Sequence, residues 1–184
     1  MGAGRRATRE GPAVGRRVVA GVSGGPGSAT TLHRAADEAR LRGAELWAVL
    51  AWQTPGGAPG SPDACACESY PEYRAAAAGR LRDALVSAFG AGGPGVPLVA
   101  QIVRGTPRAV LTDAARDADD LLVVGAGRRG RLLRALRPSV ARHCLAHAPC
   151  PVLAVPPNPL EAQLQSVRRR NAWHLPLDTR KLAG

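Results

Sequence analysis

The feature that most constrains this chain is a strict alternation between short apolar runs and longer segments with helical spacing. Val18–Val22, Glu45–Trp52, Val96–Val103, Leu121–Val124 and Val152–Val155 are apolar runs of strand length. Between them, apolar residues recur at helical intervals: Leu32, Ala35, Ala36 and Ala39 first, then Ala77, Leu81, Ala84, Leu85 and Ala88. Ser28 is expected to cap the first helix and Gly43 to stop it, while Gly90–Gly95 ends the second. Thr106-Pro107 opens a third helix, a hydroxyl cap followed by proline at the first helical position, predicted to run to about Asp117. A fourth covers Ser139–His147, and Pro149 ends it. Parallel neighbours need a crossover, and each helix supplies one. The chain is therefore expected to be a single doubly wound α/β domain, a five-stranded parallel sheet with helices on both faces.

A length of 184 residues suits one domain with tails. Apolar residues reach 45% but aromatics only 3%, so the core must be built from Ala, Val and Leu. The expected divisions are a disordered basic arm over 1–16, the α/β domain over 17–156, and a basic, proline-containing tail over 157–184, mostly without fixed structure. No apolar run is long enough to span a bilayer. The first 17 residues lack the apolar stretch of a signal peptide, so the cytoplasm is the expected compartment.

Formal net charge is +11, and 24 of the 25 basic residues are Arg. Residues 1–17 carry +4, 18–155 carry +4 and 156–184 carry +3. Basic tails favour nucleic acid or anionic surfaces. Along the sequence no aromatic residue interleaves with the Arg runs to stack bases, so nucleic acid is not an expected partner. The Arg excess reads as a composition bias.

Chemistry-bearing clusters are sparse. Cys65, Cys67, Cys144 and Cys150 match no paired Cys-x-x-Cys zinc spacing. Cys65-Ala66-Cys67, in a Pro/Gly-rich loop, reads as incidental thiols rather than a redox pair or metal clip. Cys144 and Cys150 read as core residues. His143 and His147 share a helix face, but no Glu stands between them as a metalloprotease motif requires. No catalytic or metal-ligating set is expected.

Glycine loops follow the first and fourth strands: Ser23-Gly24-Gly25-Pro26-Gly27-Ser28 and Gly125-Ala126-Gly127-Arg128-Arg129-Gly130. Both lie at strand C-termini. In doubly wound sheets a ligand sits there, where strand order reverses. The candidate nucleotide or anion crevice is Ser23, Gly24, Gly125, Gly127, Arg128, Gly130 and Ser139. Arg128, Arg129, Arg131, Arg134, Arg137 and Arg142 add an acid-free basic run suited to phosphate.

Three stretches resemble the universal stress protein family. Val18 to Ser28 resembles its opening strand and loop. Gly105-Thr106-Pro107 resembles the Gly-x-Pro before its third helix. Ala118–Gly125 and His147–Val155 resemble its closing strands. The resemblance covers about 17–156. It implies strand order 3-2-1-4-5, a crevice between strands one and four, a non-enzymatic stress-response role, and homodimers formed through the Val152–Val155 edge. In one branch it also implies ATP binding through Gly-x-x-Gly, nine residues, then Gly-Ser or Gly-Thr. In this chain Gly125 and Ser139 keep the ends of that pattern, but Arg128 and Pro138 replace two of its glycines. Starting at Gly127 recovers Gly130 but loses the closing Gly-Ser. Ser23 stands where the nucleotide-binding branch has an acidic residue near the adenosine. No cofactor is therefore expected; ATP or another adenine nucleotide is the group the resemblance brings in.

Two alternatives stand beside this reading. Ser23-Gly24-Gly25-Pro26-Gly27-Ser28 also resembles the Ser-Gly-Gly-x-Asp-Ser loop of PP-loop-type ATP-using enzymes, with Gly27 in place of the Asp. The basic tails allow a nucleic-acid-associated accessory protein.

Overall fold

The computed structural model describes residues 16–25, 27–54, 70–126 and 139–158. In chain order these form β1 (Arg17–Gly21), α1 (Ser28–Arg42), β2 (Glu45–Trp52), α2 (Tyr70–Phe89), β3 (Leu98–Arg104), α3 (Pro107–Ala114), β4 (Leu121–Gly125), α4 (Val140–His147) and β5 (Val152–Val155). A 3-10 turn over Gly90–Gly92 follows α2. The five strands make one sheet of order β3-β2-β1-β4-β5, with every pairing parallel.

The period-two alternation of a strand sends neighbouring side chains to opposite faces, and each face has its own core. Val18, Ala20, Leu121 and Val123 pack with α1 and α2, around Leu32, Ala35, Ala36, Ala39, Ala77, Leu81, Ala84 and Ala88. Val19, Leu122 and Val124 pack on the other face with Val110 and Leu111 of α3 and Ala141 and Cys144 of α4. The alanines on α1 and α2 allow close approach, which is how a core poor in aromatics reaches full burial. Each fully buried Leu or Val contributes about 1.5–3 kcal/mol. The helices that carry the chain outward to β2 and β3 thus lie on one face, and those that carry it to β4 and β5 lie on the other. The strand order reverses at β1.

Local chemistry explains most element ends. Gly43 takes φ 59 and its N–H reaches back to the last turn of α1, as a left-handed helix stop requires. Thr106 caps α3 by accepting from the Ala109 N–H, with Pro107 at the first helical position. Ser139 caps α4 by accepting from the Arg142 N–H at 3.1 Å.

Several bounds shift: β1 covers Arg17–Gly21 and leaves Val22 beyond the strand, and β4 extends to Gly125. Ser28 is the first residue of α1, and Gly27 occupies the cap position without a side-chain bond. The reason is a turn in which the Ser28 N–H donates to the Gly25 carbonyl at 2.9 Å, drawing Ser28 into the helix. Helix α3 stops at Ala114 instead of near Asp117, because Asp117 and Asp120 both turn toward Arg17. Strand β3 begins at Leu98, two residues after the apolar run starts, since Pro97 lies outside the strand and its carbonyl bonds the Leu46 N–H. Residues 1–15 of the arm expected over 1–16, Cys65, Cys67, and residues 159–184 of the tail expected over 157–184 lie outside the described residues.

Candidate functional site

Register places the crevice. Gly21 pairs with Val49 on one side and Val124 on the other, so the loop after β1 emerges beside the end of β4. Beyond Gly21, the Val22 N–H bonds the Val49 carbonyl at 2.8 Å, and beyond Gly125 the Ala126 N–H bonds the Val155 carbonyl at 2.8 Å. The sheet is therefore hydrogen-bonded to its last residue before both loops leave.

Two glycines here lie in close approach to neighbouring side chains. A Cβ on Gly125 would sit 3.2 Å from Thr31 Oγ1, because the first turn of α1 lies against the end of β4. Gly24 has φ +72, a left-handed conformation that suits glycine, and its Cβ would meet Arg80 Cβ at 3.1 Å. Arg80, an exposed residue of α2, thus sits against the glycine loop.

The hydroxyls around the loop already have partners. Ser23 Oγ accepts from the Gly25 N–H at 3.2 Å and lies 3.2 Å from Ser28 Oγ. Thr31 donates its hydroxyl to the Gly27 carbonyl at 3.0 Å. Ser139 Oγ caps α4. No acidic residue stands in the first turn of α1, α3 or α4, which leaves three helix N-termini facing this end without a carboxylate. The structure thus brings Ser23, Gly24 and Gly125 to one end of the β1–β4 pair. Gly127, Arg128 and Gly130, with the Arg run through Arg137 and with Pro138, lie outside the described residues.

The remaining chemistry-bearing side chains are accounted for as follows. Cys144 and Cys150 are buried in the α3–α4 core, and burial pushes both thiols up from their ordinary range. His143 and His147 stack at 4.3 Å between ring centroids. Desolvation, then His147 and Arg108, push the His143 imidazole down. Among the described residues no group of three or more His, Cys, Asp or Glu side chains is placed to hold a metal ion. A cleft of about 370 Å³ lies at the opposite end of the sheet, beside Arg40, Gly43, Glu45 and Gly95. Its polar groups are used internally: Arg40 bonds Asp37 and the Pro94 carbonyl, and Glu45 accepts from Trp47 Nε1.

Sequence reasoning missed one cluster at that same end. Arg17 Nε and Nη2 donate to the two Asp120 carboxylate oxygens at 3.0 and 2.7 Å, and Nη2 also reaches Asp117 at 2.5 Å. The guanidinium lies 5.0 Å from the Trp47 ring centroid. The hydrogen bonds that Arg17 donates to Asp120 are the main reason its guanidinium is held charged even more firmly than usual. The signal was available once strand order is known: Val18 pairs with Leu121, so the residues just before them, Arg17 and Asp120, must meet.

The fold is a doubly wound parallel α/β domain, with the glycine loop after β1 lying beside the end of β4 at the topological switch point. The sequence profile of the universal stress protein family matches residues 15–156, and the chain belongs to that family. Membership supports a stress-response role. A universal stress protein UspA from Lactobacillus plantarum is 21% identical, with 76% of this chain and 97% of that one covered and a TM-score of 0.58. A universal stress protein in complex with cAMP is 25% identical, covering 78% of this chain and 98% of its own, again at 0.58. The universal stress protein from Archaeoglobus fulgidus is 24% identical, covering 76% and 97%, at 0.55. No curated protein matches the chain.

Proposed function

We propose that this chain is a non-enzymatic stress-response protein of the cytoplasm whose crevice between β1 and β4 binds ATP weakly or not at all. The observation that carries the reading is the state of Ser23. Where the nucleotide-binding branch places a carboxylate, this chain has a hydroxyl already bonded to its own loop. The other end of the pattern supports the same reading: Ser139 uses its oxygen to cap α4. In sequence, Arg128 stands where backbone must approach phosphate, and Pro138 removes an amide donor. Losing even two hydrogen bonds to a charged phosphate costs about 3–6 kcal/mol, or roughly two to four decades of affinity. A relative of the same fold has been crystallised with cAMP, so the adenine nucleotides are the ligands to test. Equilibrium dialysis against ATP, AMP and a cyclic nucleotide, with an ATPase assay alongside, should give no micromolar affinity for ATP and no useful hydrolysis. Steady ATP turnover would favour the PP-loop-type enzyme reading.

The same reading includes a homodimer. Among the described residues β5 pairs with β4 alone, and Val152, Leu153 and Ala154 are half-buried, so this edge suits pairing with a second copy. Placing a charge at Leu153, as in Leu153→Asp, should shift sedimentation from dimer to monomer. Wild-type protein that already sediments as a monomer at micromolar concentration removes the dimer from the account.

A further inference from the structure

The fold assembles a stacking platform that the spacing along the chain conceals. Arg104 ends β3 and pairs in register with Trp52 at the end of β2. Tyr70 opens α2. These three residues meet: the Arg104 guanidinium lies 5.3 Å from the Tyr70 ring centroid, and Tyr70 meets Trp52 edge-on at 5.2 Å. Trp52 is 4% exposed and anchors the pair, whereas Tyr70 is 37% exposed and Arg104 is exposed. A guanidinium held over an aromatic ring has already lost part of its rotamer freedom. It presents a planar, cationic, pre-organised face to solvent.

Arg108 stands in the first turn of α3, four residues beyond Arg104, at the same end of the sheet. Carboxylates are scarce here: α1, α3 and α4 have none in their first turns, and α2 contributes Glu72. Among the described residues, ion pairs to carboxylates are made by Arg17, Arg34, Arg40, Arg42 and Arg116, whereas Arg80, Arg104 and Arg142 make none.

We infer that this rim, centred on Arg104 stacked on Tyr70, is a binding surface for single-stranded nucleic acid. Unpaired bases present π-faces that stack on such a platform without sequence preference, and the carboxylate-free guanidiniums match a phosphate backbone. A duplex hides its base faces and offers the platform nothing beyond charge.

The test is fluorescence anisotropy of the full chain with a labelled, unstructured single-stranded RNA of roughly a dozen nucleotides, which spans the usual site sizes. Binding at low salt should weaken steeply as salt rises. Tyr70→Ala should lower affinity roughly fivefold to a hundredfold, the worth of one stacked base. Tyr70→Phe should stay near wild type, and Arg104→Ala should fall like Tyr70→Ala. Arg104→Lys, which keeps the charge but loses the planar stack, should fall between them. The Arg-rich tails contribute equally to every variant, so the ratios isolate the platform. Circular dichroism checks folding; if Tyr70→Ala is unfolded, Arg104→Ala decides, since its side chain is exposed. Tighter binding of the single strand than of its duplex or of heparin supports the inference. Equal binding of all three, no binding at low salt, or affinity unmoved by either alanine variant overturns it. Efficient displacement of the strand by a free mononucleotide also overturns it.

Discussion

The same five strands run through both ends of the sheet, yet the two ends are built to opposite rules. Where the strands begin, charges are paired and partly buried. Arg17 holds Asp117 and Asp120, Trp47 covers the guanidinium, and Asp120 is 2% exposed. Where the strands end, the residues are glycines, hydroxyls bonded within their own loop, and guanidiniums without carboxylate partners among the described residues. The closed end ties β1 to the turn before β4 and secures the order of the sheet. At the open end the first turns of α1, α3 and α4 carry no acidic residue. The paired charges lie at one end and the proposed nucleotide crevice at the other, so substitutions at the two ends should separate stability from ligand binding.

The largest effect is expected from Arg17→Ala. It leaves the Asp120 carboxylate buried without its cation, which should lower unfolding free energy by about 3 kcal/mol. Urea denaturation reads this directly. A loss under about 0.5 kcal/mol would place the pair among ordinary surface ion pairs and dissolve the contrast between the ends. At the open end, Gly24→Ala forces a Cβ into a left-handed conformation against Arg80, and should cost roughly 1–2 kcal/mol. A neutral result would mean the loop relaxes freely and its shape is not held by α2. The smallest effect is a pH dependence from the buried thiols. Cys144 and Cys150 both have raised pKa values, so the folded state favours the protonated thiols. Their contribution is fully present below the unfolded thiol pKa of about 8.5 and is lost as pH rises through the raised folded values. The urea midpoint should therefore fall between pH 8 and pH 10, and Cys144→Ala should flatten that fall. An unchanged slope in the variant would assign the alkaline loss to other groups.

How much of this was legible in the sequence depends on the range of the interaction. Glu45–Trp52 and Val152–Val155 match the observed strands residue for residue, because apolar runs bounded by glycine or proline are local signals. Gly43 and Thr106 act as read, for the same reason. Ser28 shows how local reasoning fails: a hydroxyl before a helical run looks like a cap, but the backbone turn from Gly25 decides where the helix starts. The Arg17–Asp120 pair, 103 residues apart, depends on which strands are neighbours, and alternation alone does not give that. The Tyr70–Arg104 stack is hidden likewise, since it needs β2 beside β3 and α2 starting above them. At the crevice, Ser23, Gly24 and Gly125 share one end of the β1–β4 pair. That their hydroxyl partners are already engaged is a matter of side-chain geometry that spacing does not carry.

The crevice is proposed to keep the position of a nucleotide site while lacking the groups that would hold ATP. A repair experiment addresses it most directly. Isothermal calorimetry with ATP should be run on the wild type and on a triple variant carrying Ser23→Asp, Arg128→Gly and Pro138→Gly. The account predicts little or no heat for the wild type, and a gain of at least about tenfold in affinity, roughly 1.4 kcal/mol, for the variant. Wild-type protein that copurifies with ATP, or binds it with micromolar affinity, would contradict the account and show that the arginines around the crevice already replace the missing glycines and carboxylate.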